Sequence, residues 1–199
     1  LYAPFSEIIW KGNEENTIYL TFDDGPFEGI TDRIISILNK HKVPSTFFVS
    51  GEALQNCQSL PNYTGHDIGN HLFHHTPQVG FNRQSISEEI HRTNNLIAEK
   101  LNRTVQYCRP PYGVFSGNYL KPLRENNQRL VLWTLMANDF KWSANRVLDY
   151  LMKQTQAGDI IVCHDSPKAA ECIIEVLPRF IEHCRGRGLR FGLIDVKGK

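Results

Sequence analysis

Excess charge of either sign is missing from this 199-residue chain: 22 Lys and Arg stand against 21 Asp and Glu, a formal net charge of +1. Such a balance gives no electrostatic case for binding nucleic acid or an anionic membrane surface. Long apolar runs are also missing, and none approaches a membrane span. Cysteine is sparse, at Cys57, Cys108, Cys163, Cys172 and Cys184. There is no C-x-x-C pair, and an odd count cannot all pair within one chain. Cys108 and Cys163 lie in apolar, strand-like runs and read as small buried hydrophobes. This favours a reducing compartment, or a protein that makes no use of disulfides. No internal repeat, low-complexity run or linker breaks the chain. No Gly-rich dinucleotide fingerprint follows the first strand-like run, which argues against a Rossmann fold. Leu1-Tyr2-Ala3-Pro4-Phe5 has neither a starting Met nor the charged-then-apolar order of a signal peptide. The compartment stays open between cytoplasm and cell envelope.

What is present is a hydrophobic fraction of 41%, enough to fill one core without staples. A single domain over residues 1–199 is expected, with an irregular lead-in at 1–16. Strand-like runs at 18–22, 45–49, 65–70, 105–109, 130–135, 160–163 and 190–194 alternate with helical patterns at 31–40, 51–58, 85–101, 118–126, 144–154 and 169–184. Ser85, with Glu88 three residues on, matches a capping box for the longest helix. Pro178 should break or restart the last one. Alternation of this kind implies an α/β fold of βαβ units around a parallel sheet, open or closed into a barrel. In a barrel the active site gathers at the C-terminal ends of the strands.

The polar residues that stand out lie at such ends. Thr21-Phe22-Asp23-Asp24-Gly25-Pro26 follows an apolar strand, and Gly25-Pro26 stops it. Neighbouring side chains at a strand end point to different sides, so one carboxylate could hold a cation while the other handles a proton. In Asn70-His71-Leu72-Phe73-His74-His75, two histidines stand four apart, which on a helical turn aligns both imidazoles. One carboxylate added to them gives three ligands and an open position, the pattern of a catalytic zinc site. His74 reads as a rim residue and His66 as a structural hydrogen-bonding one. In Cys108-Arg109-Pro110-Pro111-Tyr112-Gly113, the prolines stiffen a loop whose next backbone N–H belongs to Tyr112, as an oxyanion hole requires. Two further strands end on Asp139 and His164; a histidine there is suited to proton exchange near neutral pH.

In this order, these five stretches resemble the motifs of the polysaccharide deacetylase (NodB-homology) family, carbohydrate esterase family four, over roughly Ile18 to Ile194. The resemblance implies a distorted (β/α)7 barrel. It implies metal-dependent removal of N-acetyl groups from an acetylated glycan or amino sugar, with ester-cleaving, acetylxylan-type hydrolysis or a non-sugar amide as alternatives. A glycan-binding homologue without turnover is a third reading. Carried over, Asp24, His71 and His75 hold a divalent metal, most simply Zn²⁺, with Co²⁺, Ni²⁺ or Mn²⁺ as alternatives. Asp23 is the general base and Arg109 holds it. The Tyr112 N–H stabilises the oxyanion, and His164, oriented by Asp139, is the acid. Leu72 departs from a usual Ser or Thr, Thr76 from a Pro, Phe140 from a Trp and Met136 from an Asp. The short segment between Ser50 and Gly65 suits an open site.

Overall fold

The computed structural model describes residues 8–76 and 82–195; positions 1–7 of the expected lead-in lie outside the described residues. Its frame is one sheet with strand order β1-β6-β5-β4-β3-β2-β8-β7. These are β1 (Ile8–Ile9), β2 (Thr17–Asp23), β3 (Ser45–Val49), β4 (Asp67–Asn70), β5 (Tyr107–Cys108), β6 (Arg129–Val131), β7 (Leu135–Met136) and β8 (Ile160–His164). All these pairings are parallel. A short β9 (Arg190–Phe191) lies beside the start of β2. The helices are α1 (Ile30–Lys40), α2 (Gly51–Asn56), α3 (Arg83–Leu101), α4 (Leu120–Glu125), α5 (Ala144–Gln154) and α6 (Ala170–Gly186). The sheet curls into a half-barrel with helices around it, the α/β layering expected from the alternation and the barrel-like closure that the resemblance implied.

β2 is the spine, with all seven residues buried between β3 and β8. Its pleat divides the work. Ile18, Leu20 and Phe22 join the core built with Ile34 and Leu38 of α1 and Phe180 of α6. Burying each such side chain is worth about 1.5–3 kcal/mol. Tyr19 packs with residues of the other face, and Thr21 and Asp23 there meet Arg109. Period-two alternation therefore aims Asp23 away from the helix layer and toward the barrel interior.

Four sequence expectations change. Ile8–Ile9, inside the supposed irregular lead-in, pairs with Leu130 and Val131 as β1. The run at 130–135 is not one strand. Leu132 N–H donates to Ile9 O, but Thr134 N–H donates to Ile160 O. The chain thus crosses from one end of the strand order to the other, and that crossing splits β6 from β7. Helix α3 starts earlier than Ser85, because the Asn82 side chain caps it by accepting from Gln84 N and Ser85 N. Helix α6 runs unbroken through Pro178. A proline inside a helix costs about 3 kcal/mol, but Ile173, Val176, Leu177, Phe180, Ile181 and Cys184 bury the face around it.

Candidate active site

Five strand ends and loops converge at one end of the half-barrel. Asp23 ends β2, and Asp24 follows at φ 87, a backbone region that side-chain-bearing residues rarely adopt. The next peptide, Gly25-Pro26, is cis. Gly25 has to be glycine, because a Cβ there would lie 1.9 Å from the Asp165 carboxylate. That carboxylate accepts from Gly25 N–H at 2.8 Å and from Thr31 Oγ1 at 2.7 Å. The turn carrying Asp24 is thereby tied to β8 and to α1. Burial pushes the Asp165 carboxyl up to about 7 against these two bonds.

His71 and His75 are not on a helical turn, as their spacing suggested. Residues 71–76 form a loop with Leu72 buried at φ 62, a conformation that interrupts any helix. The loop still brings both rings to Asp24: ligating atoms of Asp24, His71 and His75 all lie within 4.8 Å of one another. His71 Nε2 is 3.7 Å and His75 Nε2 3.2 Å from Asp24 Oδ1. That oxygen is buried without a hydrogen-bond partner among the described residues. A buried acceptor left open is costly unless something fills it. Two imidazoles and a carboxylate with such an orphaned oxygen are a donor set that fits a divalent cation.

The electrostatics agree with that fit. Burial favours a neutral His71, outweighing the pull of Asp23 and Asp24. His71 Nδ1 lies 2.8 Å from Arg109 O. Since a carbonyl only accepts, Nδ1 carries the proton and Nε2 keeps its lone pair toward Asp24. Burial opposes ionisation of Asp24, but the neighbouring imidazoles of His75, His71 and His164 outweigh it and hold the carboxyl far below the usual carboxylate range.

Arg109 has no solvent exposure. Its Nη1 donates to Asp23 Oδ1 at 2.7 Å and to Thr21 Oγ1 at 2.8 Å, and its Nη2 donates to Leu132 O at 3.1 Å. The guanidinium also stacks 4.0 Å from the centre of the Phe48 ring. So placed, the guanidinium fixes the direction of the Asp23 carboxylate. His164 lies across the opening from the histidine pair. Its Nδ1 donates to Asp139 Oδ1 at 2.7 Å, and its backbone N–H donates to Asp139 Oδ2 at 2.8 Å. Burial works against the charge on His164, but Asp139 first, then Asp23 and Asp24, raise its pKa to about 9. At neutral pH it is an imidazolium. Tyr112, at φ 58 and 59% exposed, sets its ring 4.5 Å from that of His75.

Asp23, Asp24, His71, His75, Tyr112 and His164 line a cavity of about 350 Å³ with Trp133, Phe140 and Lys168 on its walls. A second cavity of about 510 Å³, walled by Phe27, Glu52 and Asn56, shares Asp24, His75 and Ser166 with it. The short segment after Ser50 therefore walls open space beside the Asp24–His71–His75 cluster. The structure brings together Asp23, Asp24, His71, His75, Arg109, Tyr112, Asp139 and His164. His66 stands apart, with Nε2 3.1 Å from Asn39 Oδ1. Sequence reasoning missed Thr21, which stands inside the first quoted motif, Asp165, which directly follows His164, and Lys168. Thr21 alternates with Asp23 along β2 and so shares its face, a signal that was there to be read.

A family model for polysaccharide deacetylases matches residues 11–131. The chain is 31% identical over 198 residues to the peptidoglycan-N-acetylmuramic acid deacetylase PdaA of Bacillus subtilis (strain 168), covering 95% of this chain and 74% of that protein. It is 30% identical over 195 residues to a chitooligosaccharide deacetylase of Rhizobium leguminosarum bv. trifolii, covering 94% of this chain and 84% of the other. The crystal structure of the Bc1960 peptidoglycan N-acetylglucosamine deacetylase superposes with a TM-score of 0.86 at 28% identity, over 94% of this chain and 90% of that one.

Proposed function

We propose, given that the chain belongs to the polysaccharide deacetylase family, that it removes N-acetyl groups from amino-sugar units of a chitin- or peptidoglycan-like glycan. The observation that carries this reading is the Asp24–His71–His75 cluster, set between an arginine-held Asp23 and an Asp139-held imidazolium. Asp24, His71 and His75 would hold a divalent ion, and two neutral imidazoles with one carboxylate suit Zn²⁺ best. Such an ion supplies Lewis acidity and brings the pKa of a water it binds toward neutrality.

The remaining steps belong to this chain's own groups. Asp23, aimed by Arg109, takes a proton from the water that adds to the acetyl carbon, and the C–N bond breaks as the amine leaves. The Tyr112 backbone N–H donates to the oxygen on which charge develops; one such donor is worth on the order of 10²–10³ in rate. The His164 imidazolium gives a proton to the leaving nitrogen. Asp139 holds that ring in place and keeps the proton on it until the transfer. An amide needs this acid more than an ester does, because an amine leaves poorly without a proton.

The test is acetate release from chitin oligomers, peptidoglycan fragments and acetylxylan. Release from the N-acetylated substrates in preference to acetylxylan supports the reading. Release from acetylxylan alone replaces it with ester hydrolysis, and no release from any of the three overturns it.

A further inference from the structure

The loop between His71 and His75 has an irregular backbone that is tied to its surroundings at several points. Leu72 N–H donates to Asn70 Oδ1, while Leu72 O and Phe73 O accept from Gly51 N and Glu52 N at the start of α2. The next two amides, Phe73 N–H and His74 N–H, both point at one oxygen, Glu89 Oε2, at 2.9 and 2.7 Å. Glu89 Oε1 lies 2.7 Å from His74 Nδ1, which is the donor there because an ionised carboxylate only accepts. Successive backbone N–H groups after a left-handed residue form a concavity that binds anions. Here the left-handed residue is Leu72 and the anion is a carboxylate from within the chain. The Glu89 side chain is 13% exposed. One turn further along α3, the Arg92 guanidinium caps the Phe73 ring at 3.3 Å from its centre. Leu72 itself is apolar and buried, so its side chain can brace nothing by hydrogen bonding.

The geometry points to Glu89, on α3, as the positioning residue of the metal site: its carboxylate locks the 72–74 backbone so that His71 and His75 are held as a pair. It touches neither the metal nor the substrate and acts through the loop. This gives His74 a role its rim location concealed, since its ring closes the third bond to the carboxylate. The inference rests on the metal reading above, so its test has to separate the two. The neutral carboxamide of Glu89→Gln keeps an oxygen for both amides but loses the charge and the acceptor for His74. Glu89→Ala keeps neither. Glu88→Ala, on the same helix, removes only a solvent-side bond from Gln84 Nε2.

Two readouts decide it. In the metal-free protein, Glu89→Ala should speed amide exchange at Phe73 and His74 by roughly tenfold or more, while Glu88→Ala leaves it unchanged. In chelator competition with Zn²⁺ alone, Glu89→Ala should weaken binding about 10–100-fold, the range found when support of metal ligands is lost. Glu89→Gln should recover much of that loss, and Glu88→Ala should bind as wild type does. Wild-type zinc affinity and slow amide exchange in Glu89→Ala would overturn the assignment while leaving the metal reading intact. Absence of zinc binding in wild type would overturn both. If Glu89→Ala itself does not fold, Glu89→Leu, which offers no acceptor, is the variant to read: faster exchange and weaker zinc binding in it support the role, and wild-type values of both overturn it.

Discussion

Arg109 carries a full charge with no solvent exposure, which is tolerable only because Asp23, Thr21 and two backbone carbonyls surround it. The same pairing makes Asp23 a poor candidate for a metal ligand and leaves Asp24 to that task. Asp24→Ala and His71→Ala should therefore abolish stoichiometric zinc, measured by elemental analysis. Asp23→Asn should keep zinc and lose on the order of 10²–10⁴ in turnover, the span of a general base; full turnover in that variant would remove Asp23 from the role. His164 gives a prediction in pH. Its raised pKa means that the proton it donates is present below about 9 and lost above it. Stability from the His164–Asp139 pair follows the same sign, present at low pH and lost as pH rises through that value. Asp139→Asn removes the largest upward push and leaves burial unopposed by it. NMR titration of His164 in the metal-free protein should show the midpoint falling, and the alkaline limb of the rate profile should move to lower pH with it. A midpoint unchanged in Asp139→Asn would mean that Asp139 does not charge His164.

Among the elements, those whose pattern is local came through the sequence and those set by tertiary geometry did not. The run at 45–49 and the helix at 144–154 were readable to the residue, because a short β-prone run and an amphipathic helical period are both local signals. The five motif stretches were readable because functional groups at strand ends break the local pattern. The H-x-x-x-H spacing named the right histidines for the wrong reason: Leu72 at φ 62 makes a loop, held by partners from α2 and α3 that spacing cannot reveal. The split of β6 from β7 is a consequence of closure, with Leu132 bonded to one end of the strand order and Thr134 to the other. The cap of α3 is a nearer miss. Asn82 Oδ1 accepts from Gln84 N at 2.9 Å and Ser85 N at 3.4 Å. Asn82→Ala should therefore cost about 1 kcal/mol. On a domain of this size that lowers the thermal midpoint by roughly 2–4 °C. Ser85→Ala, at the cap the sequence suggested, should leave the midpoint nearly unchanged. Equal losses from the two would place the helix start at Ser85 after all.

At the scale of the whole molecule, a near-neutral chain builds a barrel-like sheet whose strand C-terminal ends collect opposite charges in one opening. Carboxylates and imidazoles face one another there, and one buried carboxylate oxygen makes no hydrogen bond among the described residues, an arrangement that a divalent cation would complete. Two cavities meet at Asp24 and His75, and the proposed glycan substrate would lie there. Acetate release from chitin oligomers by native protein, by chelator-stripped protein and by stripped protein given back one equivalent of Zn²⁺ tests this most directly. The expected result is release that vanishes on stripping and returns with zinc. Undiminished release from stripped protein shown to hold no metal would contradict it.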